Sequence, residues 1–99
     1  MAVPGSMHTI EKVMSASREE FVRSLAVLLG MTASPELPAR VAVGGGKAII
    51  GYEALPPATL GGLLALPRAR VTLSFEGVSR ADAAAFLRRF DLAFQRGGG

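Results

Sequence analysis

Ala69-Arg70-Val71-Thr72-Leu73-Ser74-Phe75-Glu76 decides how this chain is read, because its apolar side chains fall at every second position. Successive side chains of a β-strand point to opposite faces. Val71, Leu73 and Phe75 therefore share one side, and Arg70, Thr72, Ser74 and Glu76 the other. One dry face and one wet face mark an antiparallel sheet covered on a single side; a parallel sheet enclosed on both faces reads as a continuous apolar run. Such a sheet needs helices on its dry face, and the chain offers two.

Downstream, Gly77 ends the strand and Ser79 can cap a helix, helped by Asp82. Ala83, Phe86, Leu87, Phe90 and Phe94 then recur at helical spacing, while Arg80, Arg88, Arg89, Asp91 and Gln95 fall elsewhere. Upstream, Ser17-Arg18-Glu19-Glu20 is a capping box: the Ser17 hydroxyl accepts from a first-turn amide and Glu20 reaches back to the Ser17 amide. It opens a helix over 18–29 with Phe21, Val22, Leu25, Leu28 and Leu29 on one face, a Glu19 to Arg23 pair one turn apart, and Gly30 as its left-handed stop.

Residues 9–15 alternate imperfectly and read as a strand. Residues 31–39, with Ser34-Pro35 and Leu37-Pro38, read as a connector, since proline lacks an amide and biases its predecessor away from helix. Arg40 to Val43 and Lys47 to Glu53 flank Gly44-Gly45-Gly46, so a hairpin is expected with Ala48, Ile50 and Tyr52 sharing a face. The order is β-α-β-β-β-α. This predicts an α+β fold: a small antiparallel sheet of three to four strands with two amphipathic helices on one face.

Ala54 to Arg68 does not fit that scheme. Pro56-Pro57 is expected to break the preceding strand and Gly61-Gly62 to weaken any helix, yet Leu55, Leu60, Leu63, Leu64 and Leu66 are too apolar for a solvated loop. The stretch reads either as a short helix over the core or as a binding surface, because leaving five leucines wet is costly.

Ninety-nine residues, nearly half of them apolar and 19% charged, match one globular domain with one core, placed at 7–96. Residues 1–6 read as an expression scar or disordered tail and 97–99 as a second tail. The absence of cysteine excludes disulfides, thiolate metal ligands and cysteine nucleophiles, and His8 alone cannot build a metal site. No apolar run reaches the length of a membrane span, so a cytoplasmic location is expected and no membrane partner. The net charge of +3 resides in the C-terminal part, where residues 60–99 hold six arginines against Glu76, Asp82 and Asp91. Without a basic run this falls short of a nucleic-acid footprint, and the sheet lacks the aromatic platform on which single strands stack.

Tests for catalytic machinery find none. Gly46-Lys47 is not a phosphate loop: that motif needs glycine where Val41 stands and a hydroxyl where Ala48 stands. The dinucleotide fingerprint fails at Ile49, and no Gly-x-Ser-x-Gly elbow exists. Glu19, Glu20 and Asp82 have structural roles at helix starts, as do Ser17 and Ser79. No catalytic, cofactor-binding or metal-binding residue is assigned, and no cofactor.

The leading expectation is a noncatalytic protein-interaction or self-association module, a homo-oligomer that uses the apolar connector 55–66 with Arg68 and Arg70 at its rim. Its interface residues are Leu55, Leu60, Leu63, Leu64, Leu66, Arg68 and Arg70. The alternative is a carrier of a small apolar ligand between sheet and helices, lined by Tyr52, Leu64, Phe75 and Phe90. A third reading, an anion or nucleic-acid binder, relies on Arg80, Arg88, Arg89 and Arg96.

Overall fold

The computed structural model of the chain describes residues 7–97; the expected tails at 1–6 and at 98 and 99 lie outside them. Its elements are β1 (Met7–Met14), α1 (Arg18–Leu29), β2 (Ala39–Val43), β3 (Gly46–Leu60), β4 (Leu64–Glu76) and α2 (Arg80–Gly97). The four strands form one antiparallel sheet in the order β1-β4-β3-β2. The expected order β-α-β-β-β-α is the order observed, with four strands. The strand expected over 9–15, whose alternation is weak, forms over Met7–Met14 because β4 offers a ladder from Met7 opposite Glu76 to Met14 opposite Ala69.

β4 carries the alternation its sequence announces. Ala69, Val71, Leu73 and Phe75 are fully buried, while Arg70, Thr72, Ser74 and Glu76 are only part-covered. Both helices pack on the buried side: Phe21 and Leu25 of α1 and Ala83, Phe86 and Phe90 of α2 join Ala48, Ile50, Val71, Leu73 and Phe75 in one core. The aromatic side chains interlock there. Phe21 stacks on Phe94 with centroids 5.2 Å apart, Phe90 tilts against Phe94 at 4.4 Å, and Phe86 meets Phe75 edge-on at 6.0 Å. No polar or charged side chain is buried among the described residues.

Local chemistry sets the element ends. The Ser17 hydroxyl accepts from the Glu20 amide and a Glu20 carboxylate oxygen accepts from the Ser17 amide, closing the capping box. Gly30 stops α1 in the left-handed region at φ 67°, donating to the freed carbonyls. The Ser79 hydroxyl accepts from the Asp82 amide at the start of α2, which runs on through Gly97, a residue expected in a tail. Tyr52 ties the segment leading into α1 to the sheet through its hydroxyl, which donates to the Ala16 carbonyl at 3.1 Å.

The three turn glycines have different jobs. Gly44 has a positive φ of 56°, and Gly46 lies against the Glu76 carbonyl and the Gly77 backbone, where a Cβ has no room. Gly45 has neither constraint.

The structure corrects the reading of residues 54–68, which form neither a loop nor a helix. β3 runs through Pro56-Pro57 to Leu60, and β4 begins at Leu64. The prolines are accommodated by a bulge: two residues, Pro56 and Pro57, oppose the single Pro67 between the pairs Leu55–Arg68 and Ala58–Leu66. Pairing resumes beyond the bulge at Ala58–Leu66, so the two strands continue past the prolines, with no further strand flanking them.

Candidate association surface

The ladder with β1 ends at Met14–Ala69 and that with β2 at Ala39–Ile50. From Leu55–Arg68 outward only β3 and β4 remain, paired to Leu60–Leu64 and joined through Gly61 and Gly62, whose positive φ values of 62° and 73° make the turn. The result is a two-stranded arm that continues the sheet past its body, in a molecule 52 Å long and 21 Å thin. No residue from Ala54 to Pro67 carries a charge.

Register decides where the leucines lie. β4 has no extra residue, so its alternation continues unbroken into the arm: Leu64, Leu66 and Arg68 share the face of Arg70 and Thr72, away from the helices. Across the ladder, Leu55 opposite Arg68 and Ala58 opposite Leu66 take the same face, and the Leu60 position is opposite Leu64. The side of the arm continuous with the helix-covered face carries Ala54, Thr59, Ala65 and Pro67 instead. Leu63, at the tip, is 97% exposed and Leu64 53% exposed. Leu55 and Leu66 are half-buried, yet neither belongs to the apolar side chains packed against the core. The structure thus brings Leu55, Leu64, Leu66, Arg68 and Arg70 onto one face, with Leu63 at its end.

Arg70 anchors the base of this patch. Its guanidinium donates to Glu53 Oε1 at 2.9 Å and lies 3.9 Å from Glu11 Oε1, so one cation bridges carboxylates from the strands on both sides. Arg68 is exposed and forms no ion pair among the described residues. Glu53 and Glu11 escape a reading by segment because their relation to Arg70 exists only in the register. Upstream of Ala69 the leucines switch to the parity of Arg68 and Arg70, so the alternation of 69–76 does not announce the arm.

The β1 edge and the arm edges carry features that discourage pairing. β1 is an edge strand, and Lys12 stands on its helix-covered side, 3.0 Å from Asp91 of α2. An inward-pointing charge on an edge strand discourages addition of a further strand. Along the arm, Pro56, Pro57 and Pro67 remove backbone donors with the same effect. What the arm leaves open is its leucine face.

Of the proposed ligand-cavity residues, Tyr52, Phe75 and Phe90 lie on the helix-covered face and Leu64 does not. Phe75 and Phe90 are fully buried in the core, Tyr52 is half-buried at its margin, and Leu64 lies on the arm on the opposite face. An open groove between α1, β2 and α2 is lined by Leu28, Val41, Phe86 and Arg89 and includes none of the four. Arg80, Arg88 and Arg89 are exposed on α2 with Asp82 and Asp91 interspersed, and Arg96 belongs to its last turn. His8 is exposed and stacks on Phe75 with centroids 5.2 Å apart. Among the described residues no three His, Cys, Asp or Glu side chains cluster as metal ligands, and no helix is long and apolar enough to cross a membrane. Compared with protein-family models, curated proteins and solved structures, the chain has no match.

Proposed function

We propose that this chain is a noncatalytic self-association module whose contact surface is the leucine face of the β3–β4 arm. One observation carries the reading: an uncharged segment is built into a two-stranded arm that turns its leucines away from the chain's own core. A lone two-stranded hairpin is marginal in water and needs a further layer against its apolar face. Covering a leucine side chain contributes about 1.5–3 kcal/mol, so ordering this arm with Leu63 and Leu64 wet forgoes stabilisation that a second molecule supplies. On the arm itself, prolines along both strands favour contact through side chains over backbone pairing.

The test is solution mass as a function of concentration for the unmodified chain and for the double variant Leu64→Asp, Leu66→Asp. The unmodified chain is expected to form a dimer that the variant loses, with its far-ultraviolet circular dichroism and cooperative unfolding retained. Two aspartates per copy place four carboxylates in the contact, which at about 2 kcal/mol each is comparable to the whole free energy of a micromolar dimer. A strictly monomeric parent at several hundred micromolar, or a variant that still dimerises, refutes the proposal.

A further inference from the structure

The open face of the arm is self-complementary, and this gives the geometry of the pairing. We infer that two copies stack face to face about a two-fold axis running along the arm, between β3 and β4, so that β3 of each copy lies over β4 of the other. The inference rests on the self-association reading above and adds its symmetry and register.

An axis in that direction exchanges the two strands of the arm. Each residue then lies over the partner's copy of the residue that faces it across its own ladder. Pairs that are complementary within one chain are therefore complementary between chains. Leu66 meets the partner's Ala58 and Leu64 lies over the position of the partner's Leu60, which forms the apolar centre. Arg68 lies over the partner's Leu55 and lays its aliphatic stem across it, keeping its head at the rim. Arg70 faces the partner's Glu53, and the same contact recurs on the other side of the axis. Two such contacts make an alternating square of charges from two intrachain pairs that are already formed at 2.9 Å.

The other isologous arrangement has its axis across the arm. Centred on Leu66, it stacks Arg68 on the partner's Leu64 and carries Arg70 toward the leucine tip, with no carboxylate opposite either guanidinium. Arg68 meets a partner leucine in both arrangements and Arg70 keeps its own Glu53 in both; only the axis along the arm also gives Arg70 a partner carboxylate, which favours it. Aligned sheets cross at about 30° and two-stranded ribbons twist strongly, so the match is closest along the arm and the rows beyond Thr72 diverge into solvent.

The contact between Arg70 and the partner's Glu53 is tested by mixing two charge variants. In Arg70→Glu the new carboxylate faces the partner's Glu53, and in Glu53→Arg the new guanidinium faces the partner's Arg70. Each homodimer therefore contains two like-charge contacts and is expected to weaken about 10-fold or more. A one-to-one mixture pairs opposite charges at both contacts, so the heterodimer is expected to be at least about 10-fold tighter than either variant alone. The intrachain like-charge pair is present in each variant whether free or mixed, so rescue reports the interchain contact specifically.

Sedimentation equilibrium at low salt, with one variant fluorescently labelled, reads the three constants. Recovery in the mixture supports the two-fold along the arm. No recovery, or single variants that dimerise as tightly as the parent, overturns it. If the leucine double variant is monomeric while the charge variants show no rescue, the axis falls and self-association by the arm stands; a monomeric parent removes both.

Discussion

If the arm serves association and not folding, it is removable. Residues 55–68 are replaced by Asn-Gly, a two-residue turn that suits antiparallel strands, joining Ala54 to the Ala69 it already faces. Every fully buried apolar side chain lies outside the excised segment, so no core cavity is created. Leu55 and Leu66 are half-covered, but not by the core, and their burial leaves together with the arm that provides it. Among the described residues, the tertiary side-chain hydrogen bond lost is that donated by the Ser15 hydroxyl to the Pro67 carbonyl at 3.0 Å, a solvent-exposed contact worth about 1 kcal/mol at most. Shortening the connection offsets it, since each halving of loop length recovers about 0.6 kcal/mol of closure entropy. The net change in unfolding free energy is therefore expected to lie within about 1 kcal/mol of zero. Urea unfolding followed by circular dichroism measures it, at a concentration where the parent is monomeric so that mass action does not enter. The truncated chain should also stay monomeric at concentrations where the parent dimerises. A loss above about 3 kcal/mol, comparable to removing a core leucine, would refute the reasoning by showing that the arm leucines complete the chain's own core.

Four further substitutions test the packing of the body that carries the arm. Gly46→Ala places a Cβ against the Glu76 carbonyl and the Gly77 backbone and is expected to cost about 2 kcal/mol or more, whereas Gly45→Ala, with open space and no positive φ, stays within about 0.5 kcal/mol; chemical denaturation of the pair separates them. Phe90→Ala empties a fully buried site beside Phe94 and should lower stability by about 3–5 kcal/mol, read as a large drop in melting temperature. Tyr52→Phe removes only the hydroxyl that donates to Ala16 and is expected to cost about 1 kcal/mol; an unchanged melting temperature would show that water replaces the bond without loss.

Much of this architecture is legible without coordinates because it depends on short-range periodicity and capping. The alternation in 69–76, the capping box at Ser17 to Glu20 and the stop at Gly30 each rest on residues within a turn or two of one another, and each forms the element its pattern predicts. Residues 9–15 were harder to read, since Lys12 interrupts their apolar side. Its position is explained by Asp91, which lies far away in the chain. The leucines of 55–66 were legible as a surface in need of cover. Their secondary structure was not, because Pro56-Pro57 normally ends a strand, and only a bulge opposite Pro67 lets the ladder continue.

Sequence alone therefore determined the element types outside residues 54–68, the half-covered sheet and the identity of the surplus apolar segment, all properties of neighbouring residues. Tertiary structure alone decided that β1 and β2 stop short while β3 and β4 run on, which turns a surplus segment into an arm. It also decided that Leu64 and Leu66 share the face of Arg70, and that Glu53 and Glu11 meet that arginine from either side. The physical reason is register: how strands of unequal length align is a sum of long-range contacts, to which no local pattern gives access.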